Sequence, residues 1–403
     1  MQKKLAAYQH QLKQELENIL SWWMEHTIDQ EQGGFYGKID HNNTIYPQAP
    51  KGSVLHARIL WAFAAAYRLT GKNDYLQTAQ RAFDYLYQYF FDRQYGGTYW
   101  TVSYRGNPLD TKKQFYALSF VVYAMSEYAL ASQSAETKTI AIDLYKIIVQ
   151  YSYDHEYGGY TEALSRNWQQ MDDIRLSAKD ANEQKSMNTH LHVLEAFANL
   201  YRAWPDEALK QRIEELVHIF HRHIIDPATH HLQLFFDMDW QSRSGIVSYG
   251  HDIEAAWLVP DAASVTGNKT LLAQAEQYAI LIVKAAMEGL DTDGGLWYER
   301  EQSVLVRQKH SWPQAEAMIG FFYAWELTGQ QQFLQQSMQS WQFVQQHILD
   351  TKGGEWVWGI YEDNSVMHTE DKAGLWKCPY HNSRACIEII QRIDKWQHRI
   401  LED

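Results

Sequence analysis

The chain has 403 residues, of which 45% are hydrophobic and 21% charged, and its formal net charge is -13 at pH 7. This composition predicts a globular protein with a large core, and the lack of a Lys and Arg stripe argues against a nucleic-acid-binding surface. The sequence has no run of about 18 apolar residues, so we expect no membrane span. The first segment is amphipathic and carries Glu15 and Glu17, unlike a signal peptide, and we expect a cytoplasmic protein.

A repeated signature, in which an Asp precedes Gly-Gly and aromatic residues, divides the chain into six units. Five copies are IDQEQGGFYG from Ile28, FDRQYGGTYW from Phe91, YDHEYGGYTE from Tyr153, LDTDGGLWYE from Leu290 and LDTKGGEWVW from Leu349. A degenerate copy, IDPATHHLQLFF from Ile225, has His230 and His231 in place of the glycines. Gly-Gly followed by alternating aromatic residues predicts a short β-hairpin in each unit.

In chain order, each amphipathic helical pattern ends at an Asp, the hairpin follows, and a more apolar helical stretch comes next. Residues 73–92 and 269–291 are examples of the amphipathic pattern. The apolar stretches are 53–69, 113–130, 188–204, 250–265, 312–327 and 381–393. Thr-Gly pairs at 70–71, 266–267 and 328–329 follow three of these stretches and predict helix ends.

Helices that are apolar on nearly all sides belong inside a fold, and amphipathic helices belong outside it. The six units therefore predict an all-α protein, an (α/α)6 barrel of six inner and six outer helices with short β-hairpins at the active-site end. We expect one domain that spans residues 1–403. The alternative is an open superhelical solenoid, in which the first and last units do not meet.

All inner helices begin at the same end of such a barrel, so their first turns would line any pocket there. These positions hold polar or aromatic side chains, which are Arg58, Tyr116, His192, His251, Trp312 and His381. Polar groups in otherwise apolar helices cost free energy unless a partner or a function offsets the cost. Arg58 in particular needs a Glu or a bound oxyanion as its partner.

The histidines favour proton transfer over metal binding. His190 and His192 are two residues apart, which places them about 200° apart on a helix, so they cannot bind one ion together. Cys378 and His381 in KCPYHN do not form a usual zinc ligand set, and we expect no metal. Three inner helices present a histidine near the pocket, and imidazole can accept or donate a proton at neutral pH.

Two glutamates leave a second chemistry open. Glu254 and Glu316 lie one turn into their inner helices and could serve as the paired carboxylates of a glycoside hydrolase. Glu254 also follows His251 by three residues, so it can orient that imidazole or raise its basicity. The histidines fit the movement of protons on and off carbon better than they fit glycosidic cleavage.

Four motifs, MNTHLHVLEAFANLYR, SYGHDIEAAWL, WPQAEA and WKCPYHNSRACIEI, resemble those of the N-acylglucosamine 2-epimerase superfamily, and of the cellobiose 2-epimerases within it. The resemblance runs along nearly the whole chain and implies an (α/α)6 barrel. It implies an isomerase that interconverts the glucose and mannose configurations at C2 of a reducing-end sugar, through a cis-enediolate and without cofactor, metal or nucleotide. The expected partner is a small sugar, and we expect a monomer or a weak homodimer.

The resemblance also implies the roles of single residues. His251 and His381 match the acid–base pair, and Arg58 matches the residue that holds the sugar oxygens near C1 and C2. His192 and Asn188 match substrate contacts, and His192 joins the catalytic set. The remaining matched pocket positions are Tyr116, Asp180, Glu254, Trp312 and Trp376, whereas His190 has no matched role.

One departure from the family pattern bears on the substrate. The cellobiose 2-epimerases usually have two tryptophans before the proline or its equivalent, whereas this chain has Ser311 and Trp312. The pocket near the second sugar therefore differs, and an enzyme that prefers free mannose and glucose is an alternative to one that prefers cellobiose. Further alternatives are a mannose–fructose type aldose–ketose isomerase on the same scaffold, and a glycoside hydrolase or glycan-binding barrel.

Overall fold

The computed structural model describes residues 1–402, with side chains described as far as His398. This part of the chain contains twelve α-helices, which alternate between outer and inner positions. The outer helices are α1 (Gln2–His26), α3 (Asn73–Tyr85), α5 (Ala135–Ser152), α7 (Glu207–Ile219), α9 (Lys269–Ala286) and α11 (Gln331–Phe343). The inner helices are α2 (Ser53–Thr70), α4 (Phe115–Ser132), α6 (Met187–Ala203), α8 (Tyr249–Val265), α10 (Ser311–Thr328) and α12 (His381–Glu402). Helices α3, α7 and α11 continue into π-helical turns at Leu86–Phe90, Phe220–Ile224 and Val344–Ile348, and α9 continues into a 3-10 turn at Met287–Gly289.

The burial of each helix follows its sequence pattern. Helix α2 is buried at every residue from Ser53 to Ala66, because its side chains are apolar on nearly all sides. Helix α3 instead buries a single stripe, which consists of Tyr75, Thr78, Ala79, Ala82 and Tyr85. No helix within residues 1–402 is long and apolar enough to span a bilayer.

The inner helices form a closed ring. Neighbours pack against each other in chain order from α2 to α12, and α12 packs back against α2. Helix α1 lies against α12 and completes the outer layer. The predicted (α/α)6 barrel is confirmed, and the open solenoid is wrong. Closure brings the first turns of all six inner helices to one end of the barrel.

Glycines end the inner helices where the Thr-Gly pairs predict it. Helices α2 and α10 end at Thr70 and Thr328, and the following Gly71 and Gly329 have φ angles of 71° and 69°. This left-handed conformation strains a residue with a Cβ atom, which is why glycine is favoured immediately after a helix.

Short strands surround the end of the barrel where the inner helices begin. They are β1 (Lys51–Gly52), β2 (Thr101–Val102), β3 (Lys113–Gln114), β4 (Ala163–Leu164), β5 (Lys185–Ser186), β6 (Phe235–Phe236), β7 (Ile246–Ser248), β8 (Glu299–Glu301), β9 (Val304–Val306), β10 (Gln308–His310) and β11 (Gly359–Tyr361). Each Gly-Gly turn is a hairpin closed by a single bridge, such as that between Ile28 and Phe35.

The longer ladders join neighbouring units, which the sequence did not predict. Strand β1 pairs antiparallel with β2, β3 with β4, β5 with β6, β7 with β8, and β10 with β11, while β8 and β9 form a hairpin. A bridge between Ile39 and Ala373 links the first unit to the last. The strands therefore tie the rim of the barrel into a ring.

The Asp of the repeat forms a buried ion pair with a Lys that precedes the next inner helix. The five pairs have Nζ–oxygen distances of 2.6 to 3.0 Å and are Asp29–Lys51, Asp92–Lys113, Asp154–Lys185, Asp291–Lys309 and Asp350–Lys372. Lys51 also donates to the carbonyl of Gly33, so the pair ties the Gly-Gly turn to the start of α2. In the degenerate unit, His231 contacts Asp252 of α8 at 2.7 Å instead.

Candidate active site

A cavity of about 710 Å³ opens at the end of the barrel where the inner helices begin. Small-molecule sites typically measure about 300–1,000 Å³. Residues from all six inner helices and from the strands and loops that connect the helices line the cavity. Among them are all ten candidates from the sequence: Arg58, Tyr116, Asp180, Asn188, His192, His251, Glu254, Trp312, Trp376 and His381.

In α2, α6 and α10 the fourth residue of the helix anchors a Gly-Gly turn, and His190 of α6 is one of these anchors. Its Nε2 accepts a hydrogen bond from the Tyr160 amide at 2.8 Å, and its Nδ1 donates to the carbonyl one turn earlier. Gln314 makes the same two contacts in α10, where its Oε1 accepts from the Leu296 amide. His190 is therefore structural, whereas His192 is two residues further along α6 and lies on the cavity.

The imidazole of His192 is oriented by a carboxylate. Its Nδ1 lies 2.9 Å from Oε2 of Glu195. The other carboxylate oxygen, Oε1, accepts a hydrogen bond from the Tyr380 hydroxyl at 2.6 Å. An ionised carboxylate only accepts hydrogen bonds, so Nδ1 carries the proton and Nε2 is the atom left for a ligand. The ring packs edge-on against Tyr116, with ring centroids 5.0 Å apart.

His381 is oriented in the same way from a different helix. Its Nδ1 lies 2.7 Å from Oε1 of Glu316, and the other carboxylate oxygen accepts from Trp257 Nε1 at 3.0 Å. Glu316 is fully buried, so both of its oxygens are held by protein donors. Nε2 of His381 is again the free ring nitrogen at the cavity.

His251 has a hydroxyl partner, which corrects the expectation that Glu254 orients it. Nδ1 of His251 lies 2.8 Å from Oγ of Ser248, whereas the Glu254 carboxylate accepts from Arg384 at 2.5 Å. A guanidinium makes a stronger, charge-assisted hydrogen bond to a carboxylate than a neutral imidazole does. Glu254 therefore faces the helix interface and not its neighbour three residues earlier.

Trp312 lies between two of the candidate histidines. Its ring centroid is 4.8 Å from that of His251 and 5.5 Å from that of His381. Gly250 makes room for the indole, because a Cβ atom at this position would come within 2.5 Å of Trp312. The two imidazoles thus flank one aromatic wall of the cavity.

Arg58 is buried among aromatic side chains and a cysteine. Nη2 donates to the Tyr116 hydroxyl at 2.7 Å, and the guanidinium carbon lies 4.1 Å from the ring centroid of Phe120. Its Nη1 is 3.9 Å from Sγ of Cys378. Within the described residues, no carboxylate pairs with Arg58, so of the two expected partners the Glu is absent and the charge is available to an oxyanion in the cavity.

Burial keeps two of the histidines neutral. It lowers the pKa of His251 to about 3, and the neighbouring His192 acts in the same direction. Burial also lowers the pKa of His381 well below its ordinary value, assisted by the charges of Arg384 and Arg58. Both imidazoles are therefore neutral at pH 7 and can accept a proton.

Glu254, Glu316 and His381 bring three potential ligand atoms within 4.8 Å of one another, a spacing that could suit a metal ion. Nη2 of Arg384, however, lies 2.5 Å from Glu254 and 2.6 Å from Glu316. The guanidinium thus holds the position that a cation would take between the carboxylates.

Burial, followed by the charge of Glu316, raises the pKa of Glu254 to about 7.

Polar groups at the mouth of the cavity point to a polar ligand. Within the described residues, Oδ1 of Asn188 is buried and has no hydrogen-bond partner. Asp180 accepts from the amide of Ser177 at 2.8 Å and lies on the cavity. The Trp376 indole, whose centroid is 5.7 Å from that of Trp100, provides a half-buried aromatic surface beside them.

The sequence reasoning missed three residues that hold the histidines. These are Ser248, Glu195 and Arg384. Glu195 and Arg384 are charged residues inside apolar inner helices, the same signal that singled out Arg58. Ser248 precedes its helix and gives no comparable signal.

Residues 34–385 match the model of the N-acylglucosamine 2-epimerase family. The chain belongs to this family. It is 47% identical over 386 residues to a cellobiose 2-epimerase of Bacteroides fragilis, which covers 94% of this chain and 98% of the relative. A cellobiose 2-epimerase of Dictyoglomus turgidum is 35% identical, covering 93% and 96%.

A solved structure of a similar protein has the same fold. The cellobiose 2-epimerase of Bacillus thermoamylovorans B4167 superposes with a TM-score of 0.93 at 41% identity, covering 96% of this chain and all of that one. The predicted family and isomerase class are confirmed. The roles of single residues stay predictions.

Proposed function

We propose that the protein is a carbohydrate 2-epimerase that interconverts the glucose and mannose configurations at C2 of the reducing-end residue of cellobiose and related β-1,4-linked disaccharides. The observation that carries the proposal is that His192, His251, His381 and Arg58 line one cavity. The relatives named cellobiose 2-epimerases support the choice of substrate, because they match nearly the whole chain.

The reaction begins with opening of the sugar ring. The C1 hydroxyl gives its proton to an imidazole, the C1–O5 bond breaks with its electron pair on O5, and the resulting imidazolium returns the proton to O5. The neutral state of His251 and His381 at pH 7 supports a role in accepting the first proton. The product is an open-chain aldehyde.

The aldehyde makes the hydrogen on C2 acidic. Nε2 of a neutral imidazole removes that proton, and the electron pair moves toward O1 to give a cis-enediolate. Arg58 is positioned by Tyr116 to stabilise the negative charge that develops on O1. One preorganised donor of this kind typically contributes about 3 kcal/mol to the barrier.

Two routes can then invert C2. In the first, His251 and His381 act from opposite faces: one neutral ring removes the C2 proton, and the other takes up a proton from water and delivers it to C2. In the second, a single imidazole returns the proton after rotation about the C2–C3 bond. Both rings lie beside Trp312, so two imidazoles from different helices are available for the first route.

The mouth of the cavity supports a second sugar. A volume of about 710 Å³ exceeds the low end of small-molecule sites, and Trp376 offers an aromatic face for a sugar ring. Ser311 lies on the cavity, where a larger residue would fill space. If the second sugar does not occupy the space beside Ser311, the enzyme should instead prefer free mannose over cellobiose.

Two other reactions are less well supported. Delivery of the proton to C1 instead of C2 would produce a ketose, so an aldose–ketose isomerase needs only a different site of protonation. A glycoside hydrolase needs two carboxyl groups that flank the bond. Glu254 and Glu316 instead both bind the same guanidinium nitrogen of Arg384.

The test is to incubate the purified protein with cellobiose and, separately, with mannose, and to separate the products. We expect glucosyl-mannose from cellobiose and a slower reaction of mannose to glucose. Fructose as the main product from mannose would replace the proposal with the isomerase. Free glucose released from cellobiose would replace it with a hydrolase.

A further inference from the structure

We propose that Arg384 is a positioning residue for this reaction: it fixes His192 and His381 through their carboxylate partners and offsets the negative charge that would otherwise retain a proton on His381. This inference rests on the proposed 2-epimerase function. Arg384 is not among the residues that line the cavity, so it acts from beneath the site and does not touch the sugar.

One guanidinium joins three inner helices to a fourth. Arg384 on α12 is fully buried. Its Nη1 lies 2.5 Å from Glu195 of α6, and its Nη2 lies 2.5 Å from Glu254 of α8 and 2.6 Å from Glu316 of α10. Arg384 also donates to the hydroxyl of Tyr380. Only a planar, forked cation can reach carboxylates on three sides at once.

The same carboxylates hold the histidines, so their positions are linked. Glu195 accepts from Arg384 with one oxygen and from Nδ1 of His192 with the other. Oε1 of Glu316 accepts from both Arg384 and Nδ1 of His381. Because Arg384 prevents these carboxylates from turning, it fixes which ring nitrogen of each histidine faces the sugar.

Charge balance is the second consequence. The titratable groups around His381 are Arg58 of α2, His192 and Glu195 of α6, Glu254 of α8, Glu316 of α10, and Tyr380 and Arg384 beside it. A carboxylate at 2.7 Å would by itself favour the protonated imidazole. Burial, followed by the charges of Arg384 and Arg58, instead lowers the pKa of His381. Loss of the Arg384 charge should therefore let His381 hold a proton at higher pH.

Arg392 provides a matched control on the same helix. It lies two turns further along α12 and likewise pairs with two glutamates, Glu326 at 2.6 Å and Glu388 at 3.4 Å. Arg392 lines a separate cavity at the other end of the barrel. Its replacement by Lys disturbs a comparable ion pair but not the histidines.

The experiment compares Arg384→Lys, Arg384→Gln and Arg392→Lys with the wild type by kcat, KM and the pH dependence of kcat/KM. We expect Arg384→Lys to lower kcat by about 10–100-fold with little change in KM, since the charge stays but the fork is lost. Arg384→Gln should in addition move the acidic midpoint to higher pH. Arg392→Lys should behave as the wild type.

A second readout does not require turnover. Imidazole NMR of the ligand-free protein, with the His381 signal assigned through His381→Asn, should show this ring titrating at higher pH in Arg384→Gln. If Arg384→Gln does not fold, the double variant Arg384→Gln/Glu254→Gln removes one charge of each sign, and a smaller upward shift is expected, because Glu254 no longer favours the protonated ring.

An unchanged kcat in Arg384→Lys together with an unmoved His381 titration in the Gln variant would overturn the inference. An equal loss of kcat in Arg392→Lys would do the same, because it would show a general effect of the helix. A wild type that epimerises no sugar would defeat the proposed function, whereas the NMR titration would still decide the effect of Arg384.

Discussion

Nδ1 of His381 lies 2.7 Å from Oε1 of Glu316, and this contact leaves Nε2 as the ring nitrogen at the cavity. His192 and Glu195 repeat the arrangement at 2.9 Å on another inner helix. A carboxylate behind an imidazole selects its tautomer and fixes its direction. The barrel therefore holds these imidazoles in an orientation that its own carboxylates set.

Replacement of a cavity histidine should abolish most of the activity. We expect His381→Asn and His251→Asn each to lower kcat/KM for cellobiose by about 10²–10⁴-fold, the usual contribution of a general acid or base. The measurement is the initial rate of epimer formation. Activity within threefold of the wild type in both variants would contradict the assignment of the acid–base pair.

His190→Gln is the matched control for those variants. Gln314 already makes the two contacts of His190 at the equivalent place in α10, so an amide can satisfy the same turn. We expect this variant to fold and to retain kcat/KM near the wild-type value.

Acid should destabilise the fold through its buried histidines. Burial lowers the pKa of His56, His190 and His251 to about 3 in each case, from an ordinary value of 6.5. These histidines become protonated below about pH 6.5 in the unfolded chain but only near pH 3 in the native protein. Their contribution to the free energy of unfolding is therefore complete above pH 6.5 and is lost as the pH falls from 6.5 toward 3. Thermal midpoints at pH 7 and pH 5 test this, and His190→Gln should show a smaller decrease. An equal decrease in wild type and variant would count against it.

The buried ion pairs of the repeat should be sensitive to loss of one partner. Lys51 is fully buried against Asp29 at 2.8 Å, so Lys51→Met leaves a carboxylate without its cation. We expect the free energy of unfolding to fall by about 3–5 kcal/mol, measured by denaturant titration. Lys72→Met, which breaks an exposed pair with Glu17, should cost less than about 1 kcal/mol. Comparable losses in the two variants would refute a special role for the buried pair.

Ser311 should influence substrate length. Ser311→Trp adds an aromatic face to the cavity beside Trp312, and one aromatic contact typically contributes about 0.5–1.5 kcal/mol. We expect kcat/KM for cellobiose to rise about three- to tenfold relative to that for mannose, with Ser311→Ala as the control. A rise for mannose instead would show that this position contacts the reducing-end sugar.

The repeat explains how much of the molecule could be predicted. Six copies of one signature set the number of helices, and the apolar stretches set which helices lie inside. The start of each stretch then placed Arg58, His192 and His251 at one end of the barrel without any coordinates. Because the six units are repeats, equivalent positions in each unit lie at the same height in the barrel. This alignment is sufficient to predict which residues face the cavity.

The partners of these residues required the three-dimensional structure. Glu254 is three residues from His251, and spacing within one helix favours that contact, but Arg384 from another unit competes for the carboxylate. Sequence order does not show which side chains of different inner helices lie at the same height along the barrel axis and can therefore contact each other. The ion pair of Asp92 and Lys113 could have been predicted from the sequence, because a Lys stands two residues before four of the inner helices.

The most direct test of the central claim is turnover of cellobiose in deuterium oxide, followed by NMR of the separated product. Removal and return of the C2 proton by His251 and His381 predicts glucosyl-mannose with deuterium at C2 of its reducing-end residue, and formation of this product about 10²–10⁴-fold more slowly by the His381→Asn variant. Epimer formed with the original hydrogen retained at C2 in every turnover would contradict proton exchange between two histidines.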